Sequence, residues 1–206
     1  VLGTNNVYSQ DKGLHTTART LRQALGSDTG PHTQADLLGS DVILVVGADI
    51  GQTHNVLGAH IKQAARDDQR KLLVVTRLAS GLDAFATATA RVRPKSEASF
   101  LDALAKPTND SVEALTGITP TAFEEIQQTV AQADSVAVVW DTGIWTLDQA
   151  SQIAQAAANL ALTQSNVKLF PLPERANTVG TFQVGMAPDL LPGARPLLDL
   201  EARQQV

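Results

Sequence analysis

The sequence predicts an α/β protein of two similar modules, each with a parallel sheet, followed by an irregular segment rich in proline and glycine. Short β-branched runs at 42–46 (Val-Ile-Leu-Val-Val) and 72–75 (Leu-Leu-Val-Val) have the unbroken apolar character of strands buried on both faces. Between them Leu57, Ile61, Ala64 and Ala65 recur at helical spacing. Strand, helix and strand make a unit that implies a parallel sheet with a right-handed crossover. The same order returns downstream. At an offset of 93 (134 minus 41), Asp41, Val46, Thr53, Ala64 and Ala65 align with Asp134, Val139, Thr146, Ala157 and Ala158. A period that long is not a solenoid repeat, so two similar modules are expected.

The first module takes residues 1–105. Its opening strand ends in Gly47-Ala48-Asp49-Ile50-Gly51, just before the helix. Glycines there can present backbone N–H groups to a phosphate. A plain strand–helix turn is the other reading, and Asp49 speaks for it by placing negative charge in the loop. After the second strand, a short strand near 90–93 precedes a helix that Ser96 can cap, running to about Leu104. Residues 106–118 (Lys-Pro-Thr-Asn-Asp-Ser onward) read as the join.

The second module takes residues 119–170. Thr119-Pro120 opens a helix with a capping hydroxyl and a proline in the first turn, and Phe123, Ile126 and Val130 form its apolar face. A strand at 135–140 follows, then a loop and a long helix from Leu147, for which Thr146 and Gln149 fit a capping box. Leu147, Ala150, Ala154, Ala157 and Ala161 give that helix a small-residue stripe suited to close packing on a sheet. The last strand is expected at 167–170. From 171 to 206 the prolines at 171, 173, 188, 192 and 196, with Gly180, Gly185 and Gly193, predict an extended segment held by packing on a larger body. Its end, 201–206, is expected to fray.

Composition narrows the function. A chain of 206 residues, 43% apolar and 18% charged, can bury a substantial core. No apolar run approaches the roughly 18 residues of a membrane-spanning helix, so no direct membrane insertion is expected. The net charge of −5 and the lack of a basic cluster argue against a nucleic-acid partner. With no cysteine, the chain can form neither a disulfide nor an all-cysteine iron–sulfur cluster, and it lacks the commonest structural zinc sites. His15, His32, His54 and His60 are scattered, and His54 and His60 lack the i, i+4 spacing of a ligand pair. The sequence opens on Val1-Leu2-Gly3-Thr4 with neither an initiator Met nor an export-signal pattern. It is expected to be an internal or processed piece of a longer polypeptide.

Four segments, in order, resemble the molybdopterin oxidoreductases, the group of formate dehydrogenases and their relatives. Gly3-Thr4-Asn5-Asn6-Val7 resembles the segment leading into that family's metal site. Ala35-Asp36 through Gly47, with His54 and Ile61-Lys62-Gln63-Ala64-Ala65-Arg66, resembles its first nucleotide-binding module. Ala158-Asn159-Leu160-Ala161-Leu162-Thr163 is similar to the helix end of the second module. Ala176-Asn177-Thr178-Val179-Gly180, Gly185 and Pro188-Asp189-Leu190-Leu191-Pro192-Gly193 are similar to the glycine-rich stretch that follows.

The resemblance implies Rossmann-like modules that, in the family, bind the guanosine ends of two pterin dinucleotides with a metal between them. It places the metal-ligand position at Leu14, with the neighbouring histidine at His15; leucine has no lone pair to offer a metal. A shifted alignment moves the ligand to Ser9, without that neighbour. Cofactor-binding positions fall at Gly47, Asp49, Thr76, Glu97, Asp141 and Gly143. Several depart from the family pattern. Thr76-Arg77-Leu78 stands where the family often has Asp-Pro-Arg, so the acid that grips a ribose hydroxyl is missing. Pro94-Lys95-Ser96-Glu97 replaces Pro-Gly-Thr-Asp, leaving Glu97 either as an acceptor for a guanine edge or as a helix-start acid. Trp140-Asp141-Thr142-Gly143-Ile144-Trp145 replaces a glycine-richer turn, and the two tryptophans would crowd a pyrophosphate path.

These departures make the chain most like the form that has lost its metal chemistry, as in the large iron–sulfur subunit of respiratory NADH:quinone oxidoreductase. The resemblance then implies a non-catalytic scaffold, with no cofactor or metal in this chain and iron–sulfur clusters only in other parts of the polypeptide. Partners would be other subunits of a multi-subunit redox complex, in a peripheral arm on the cytoplasmic (or matrix) side of an energy-coupling membrane. The alternative is part of a molybdenum- or tungsten-dependent formate dehydrogenase-like subunit that binds molybdopterin guanine dinucleotide, with His15 assisting proton transfer. A stand-alone nucleotide-binding module has only fold-level analogy behind it.

Overall fold

The run at 42–46 forms the centre of a three-layer molecule. The computed structural model describes residues 10–27, 32–106, 111–187, 189–193 and 195–204. The segment 3–7, Ser9, Pro188 and part of the join at 106–118 lie outside or only partly within those residues. Helices α1 (Lys12–Leu25) and α2 (Gln34–Leu38) precede β1 (Val42–Gly47). A single turn, α3 (Ile50–Thr53), leads into α4 (Asn55–Asp67), β2 (Lys71–Thr76), a 3-10 turn at Asp83–Phe85 and β3 (Ala88–Arg91). Then α5 (Glu97–Ala105), α6 (Val112–Thr116) and α7 (Pro120–Ala131) bring the chain back to β4 (Val136–Asp141), α8 (Leu147–Thr163) and β5 (Val167–Leu172). The C-terminal part holds α9 (Thr178–Gln183), β6 (Leu190–Leu191), β7 (Arg195–Pro196) and α10 (Leu200–Gln204).

The first five strands form one parallel sheet in the order β3-β2-β1-β4-β5. The two halves seen in the sequence therefore share a sheet: β1 of the first pairs directly with β4 of the second, Val42 opposite Val136. From this central pair the chain winds outward in both directions. Right-handed crossovers leading opposite ways place their helices on opposite faces. Accordingly, Ile61 and Ala64 of α4 pack with Ile43 and Val45, while Ala154 and Ala157 of α8 pack with Leu44 and Val46. Ile43, Leu44, Val45 and Val46 are all 0% exposed, which is why their sequence shows no polar alternation. Each contributes about 1.5–3 kcal/mol of burial.

Helix α1 holds Leu14 and His15, the positions that the resemblance assigns to the metal site, and the signals that form it are local. Asp11 caps it by accepting from the Leu14 N–H at 2.8 Å, and Gly26 ends it with φ +75°. It lies along α8, where the Thr20 and Ser151 hydroxyls are 3.2 Å apart. Thr119 caps α7 as its sequence predicts, and Thr146 with Gln149 forms the expected capping box of α8. Ser96 differs: its side chain makes no cap bond to α5. The third strand covers Ala88–Arg91, a little earlier than the residues 90–93 expected.

The C-terminal part is more regular than its prolines predict. Strand β5 runs through Pro171 to Leu172, where the Thr142 N–H donates to the Leu172 carbonyl at 3.0 Å. α9 and the β6–β7 pair follow, and residues 200–204 are helical where fraying is expected. The join at 106–118 contains α6, capped by the Ser111 hydroxyl. Among the described residues no helix is long and apolar enough to cross a membrane.

Candidate functional site

In an open α/β sheet, ligands bind beyond the carboxyl ends of the strands, where the winding reverses. Here that point lies between β1 and β4. Gly47 ends β1 and pairs across the sheet with Thr76, the last residue of β2; Asp141 ends β4, with Gly143 two residues on. Glu97, at the start of α5, reaches the same place, since a Cβ on Gly47 would stand 3.7 Å from its Cγ. The fold thus brings all six sequence-predicted cofactor positions to one edge of the sheet.

What these residues do there is hold the protein to itself. Asp49 Oδ1 accepts from the Gly51 N–H at 3.1 Å and the Ser80 hydroxyl at 2.9 Å, and Oδ2 accepts from the Gly81 N–H at 3.2 Å. Its carboxylate therefore ties the loop after β1 to the loop after β2. Asp141, 3% exposed, accepts from the Gly143 N–H at 2.7 Å. Thr76 donates to the Leu78 carbonyl at 2.8 Å and accepts from Arg91 Nη1 at 3.1 Å. His54 Nε2 donates to the Pro173 carbonyl at 2.8 Å, since a carbonyl can only accept. Its Nδ1 faces the Thr53 hydroxyl at 3.0 Å and Asp141 at 3.8 Å, so His54 links the two halves.

The Trp145 ring lies at the switch point itself. A Cβ on Gly47 would fall 2.4 Å from Trp145 Cη2 and Cζ2. The Arg77 guanidinium lies over the indole, 4.8 Å from the ring centroid. Its Nε donates to Glu97 Oε1 at 2.5 Å, and Glu97 is 1% exposed. Instead of merely opening a helix, Glu97 turns inward to meet Arg77. Trp140, in β4, is wholly buried in the core below.

Leu14 and His15 stand at the start of α1, which closely approaches the loop after β4: a Cβ on Gly13 would be 1.9 Å from the Thr142 carbonyl oxygen. Only glycine allows that approach. Leu14 is 2% exposed and forms an apolar cluster with Phe182, Ala187 and Leu190 of the C-terminal part. His15 Nε2 lies 2.6 Å from Asp189 Oδ1, with its ring edge-on to Phe182. Asp11 completes the arrangement, accepting from the Glu174 N–H at 3.0 Å as well as capping α1. Asp11 and Phe182 carry no site role in the sequence, and Asp189 stands there only as part of the glycine-rich stretch. The spacing from Asp11 to Leu14 is a local capping signal, but nothing local marks Asp189 as the partner of His15.

The sequence matches the molybdopterin oxidoreductase family over residues 1–192. The chain belongs to the molybdopterin oxidoreductase family. Among curated relatives, the putative formate dehydrogenase YrhE of Bacillus subtilis (strain 168) is 26% identical over 98% of this chain. A subunit of NADH-quinone oxidoreductase from Rhizobium meliloti (strain 1021) is 27% identical over 81%. This chain spans only 24% and 22% of those two proteins. The fold is shared with a chain of the formyltransferase/hydrolase complex from Methylorubrum extorquens, at a TM-score of 0.61 and 18% identity. That match covers 84% of this chain and 47% of the other.

Family membership makes a pterin dinucleotide the group to test against these residues. The amides a glycine loop would offer a phosphate, Gly51 and Gly143, are bonded to Asp49 and Asp141, whose charge would repel one. The glycine that would allow close approach, Gly47, is covered by Trp145. At the metal-ligand position of the resemblance, Leu14 is packed among apolar side chains. As arranged, these described residues do not fit the dinucleotide or, at Leu14, its metal. Among the described residues, no three His, Cys, Asp or Glu side chains group as metal ligands.

Proposed function

We propose that this molybdopterin oxidoreductase chain serves as a structural, non-catalytic domain within a multi-subunit redox complex, as part of the large iron–sulfur subunit of an NADH:quinone oxidoreductase. The observation that carries the proposal is the surroundings of Leu14, where a redox centre would need a donor atom and the chain has an aliphatic side chain locked against Phe182, Ala187 and Leu190. Its work is packing: a rigid sheet whose carboxyl-edge loops are tied to one another and to the C-terminal part. Partners are other subunits of the complex, and the location is a peripheral arm on the cytoplasmic or matrix side of the membrane. The similarity to a putative formate dehydrogenase supports the second reading, a catalytic subunit holding molybdenum or tungsten.

Elemental analysis of the native assembly for molybdenum and tungsten, with release of any bound guanine nucleotide, decides between them. Absence of both, in an assembly that still passes electrons from NADH, is the expected result. Stoichiometric metal and nucleotide traced to this chain would establish the catalytic reading instead.

A further inference from the structure

Building on the scaffold proposal, we infer that Trp145 is an internal ligand of the switch point: the chain fills the crevice between its two halves with its own indole, clamped by Arg77 and Glu97. Four separate segments meet in this stack. Gly47 from the end of β1 supplies a surface with no side chain, and its φ of +83° adds a second reason for glycine there. Trp145 comes from the loop between β4 and α8, Arg77 follows β2, and Glu97 begins α5. The order of contact is ring on glycine, guanidinium over ring, carboxylate on guanidinium.

The chemistry explains the burial. Glu97 at 1% exposure needs a counter-charge, and Arg77 provides it through a charge-assisted bond while its planar face covers the indole. Among the described residues, Trp145 Nε1 and Arg77 Nη2 have no hydrogen-bond partner, so the stack is held by ring faces and one ion pair. In a ligand-dependent α/β protein, a bound molecule joins the strand ends and adds its binding energy to stability. Here a side chain joins them permanently, so the gain needs no small molecule.

Thermal unfolding of the full chain tests this with three variants (Trp145→Gly, Gly47→Ala and the double) and two probes, indole and guanosine monophosphate. Trp145→Gly is expected to lower Tm by about 10 °C, the loss typical of emptying a buried aromatic site. Millimolar indole should restore part of that loss in a saturable way, as a ring re-enters the vacancy, and should leave wild type unchanged. Gly47→Ala should lower Tm in wild type and by clearly less in the Trp145→Gly background, because the Cβ then has room. Additive Gly47 and Trp145 effects, or no rescue by indole, would overturn the internal ligand and leave the scaffold proposal standing. A saturable rise in wild-type Tm with guanosine monophosphate would overturn both. If Trp145→Gly does not fold, Arg77→Gln in a Trp140→Phe background reports instead. Removing the guanidinium should raise acrylamide quenching of Trp145 fluorescence, and unchanged quenching would overturn the clamp.

Discussion

His15 and Asp189 are paired at 2.6 Å across a sequence separation of 174 residues, fastening the first described helix to the C-terminal part of the chain. Both side chains are partly exposed, at 20% and 35%. Asp189→Asn should therefore cost only about 0.5–1 kcal/mol in global stability. Its clearer effect should be local: faster amide hydrogen exchange over α9 and β6, with α4 and β2 unchanged.

Leu14 should matter more than its histidine neighbour. Leu14→Ala leaves a cavity beside Phe182, Ala187 and Leu190 and should cost about 2–4 kcal/mol in urea unfolding. A loss below about 1 kcal/mol would show that the cluster is not packed as described.

Asp49 joins two loops through three donors. Asp49→Ala should lower stability by about 1–3 kcal/mol and speed exchange of the Gly51 and Gly81 amides. Retained protection at both amides would contradict the bridging role.

Asp36 offers a test by pH. Its carboxylate accepts from the Thr33 N–H and the Thr33 hydroxyl, both at 2.7 Å, and the backbone bond chiefly holds its pKa below the ordinary 3.8. A depressed carboxyl pKa contributes stability that is full above the unfolded value and disappears as pH falls through the folded one. Wild type should thus be more stable than Asp36→Asn near neutrality, and the gap should narrow as pH drops below about 4. A gap independent of pH would exclude the ionised capping box as its source.

Most of the sheet was legible because its signals are local. The run at 42–46 could only be a strand buried on both faces, and Thr146 with Gln149 marked the start of α8 from neighbouring residues alone. Helix α1 was legible in principle, with Asp11 and Gly26 at its ends, but Thr16, Thr17 and Thr20 weaken its pattern by adding β-branched residues with low helix propensity. The C-terminal elements were misread because long-range contacts, such as Leu14 with Phe182, order them rather than local propensity. The six cofactor positions expected from the resemblance come together at the strand ends, but of the two tryptophans expected to crowd them only Trp145 is there, Trp140 being part of the core. The partners of those residues lie in other loops, so their roles became visible only once the strand ends were brought together.

Strand β5 forms one border of the sheet, and its hydrogen bonding has a direction. Carbonyls of Asn166 and Leu172 accept from Val136, which opens β4, and from Thr142, just past its end, so the backbone groups of even-numbered residues face inward and those of odd-numbered ones outward. Pro171 and Pro173 therefore fall on the outward side, where a proline has no N–H to give. Val167 already donates its N–H to the Gln164 carbonyl at 3.1 Å, which leaves Leu169 as the remaining outward N–H of β5. With so few outward donors, that border is a poor template for a further strand, and strand-by-strand aggregation there meets a barrier.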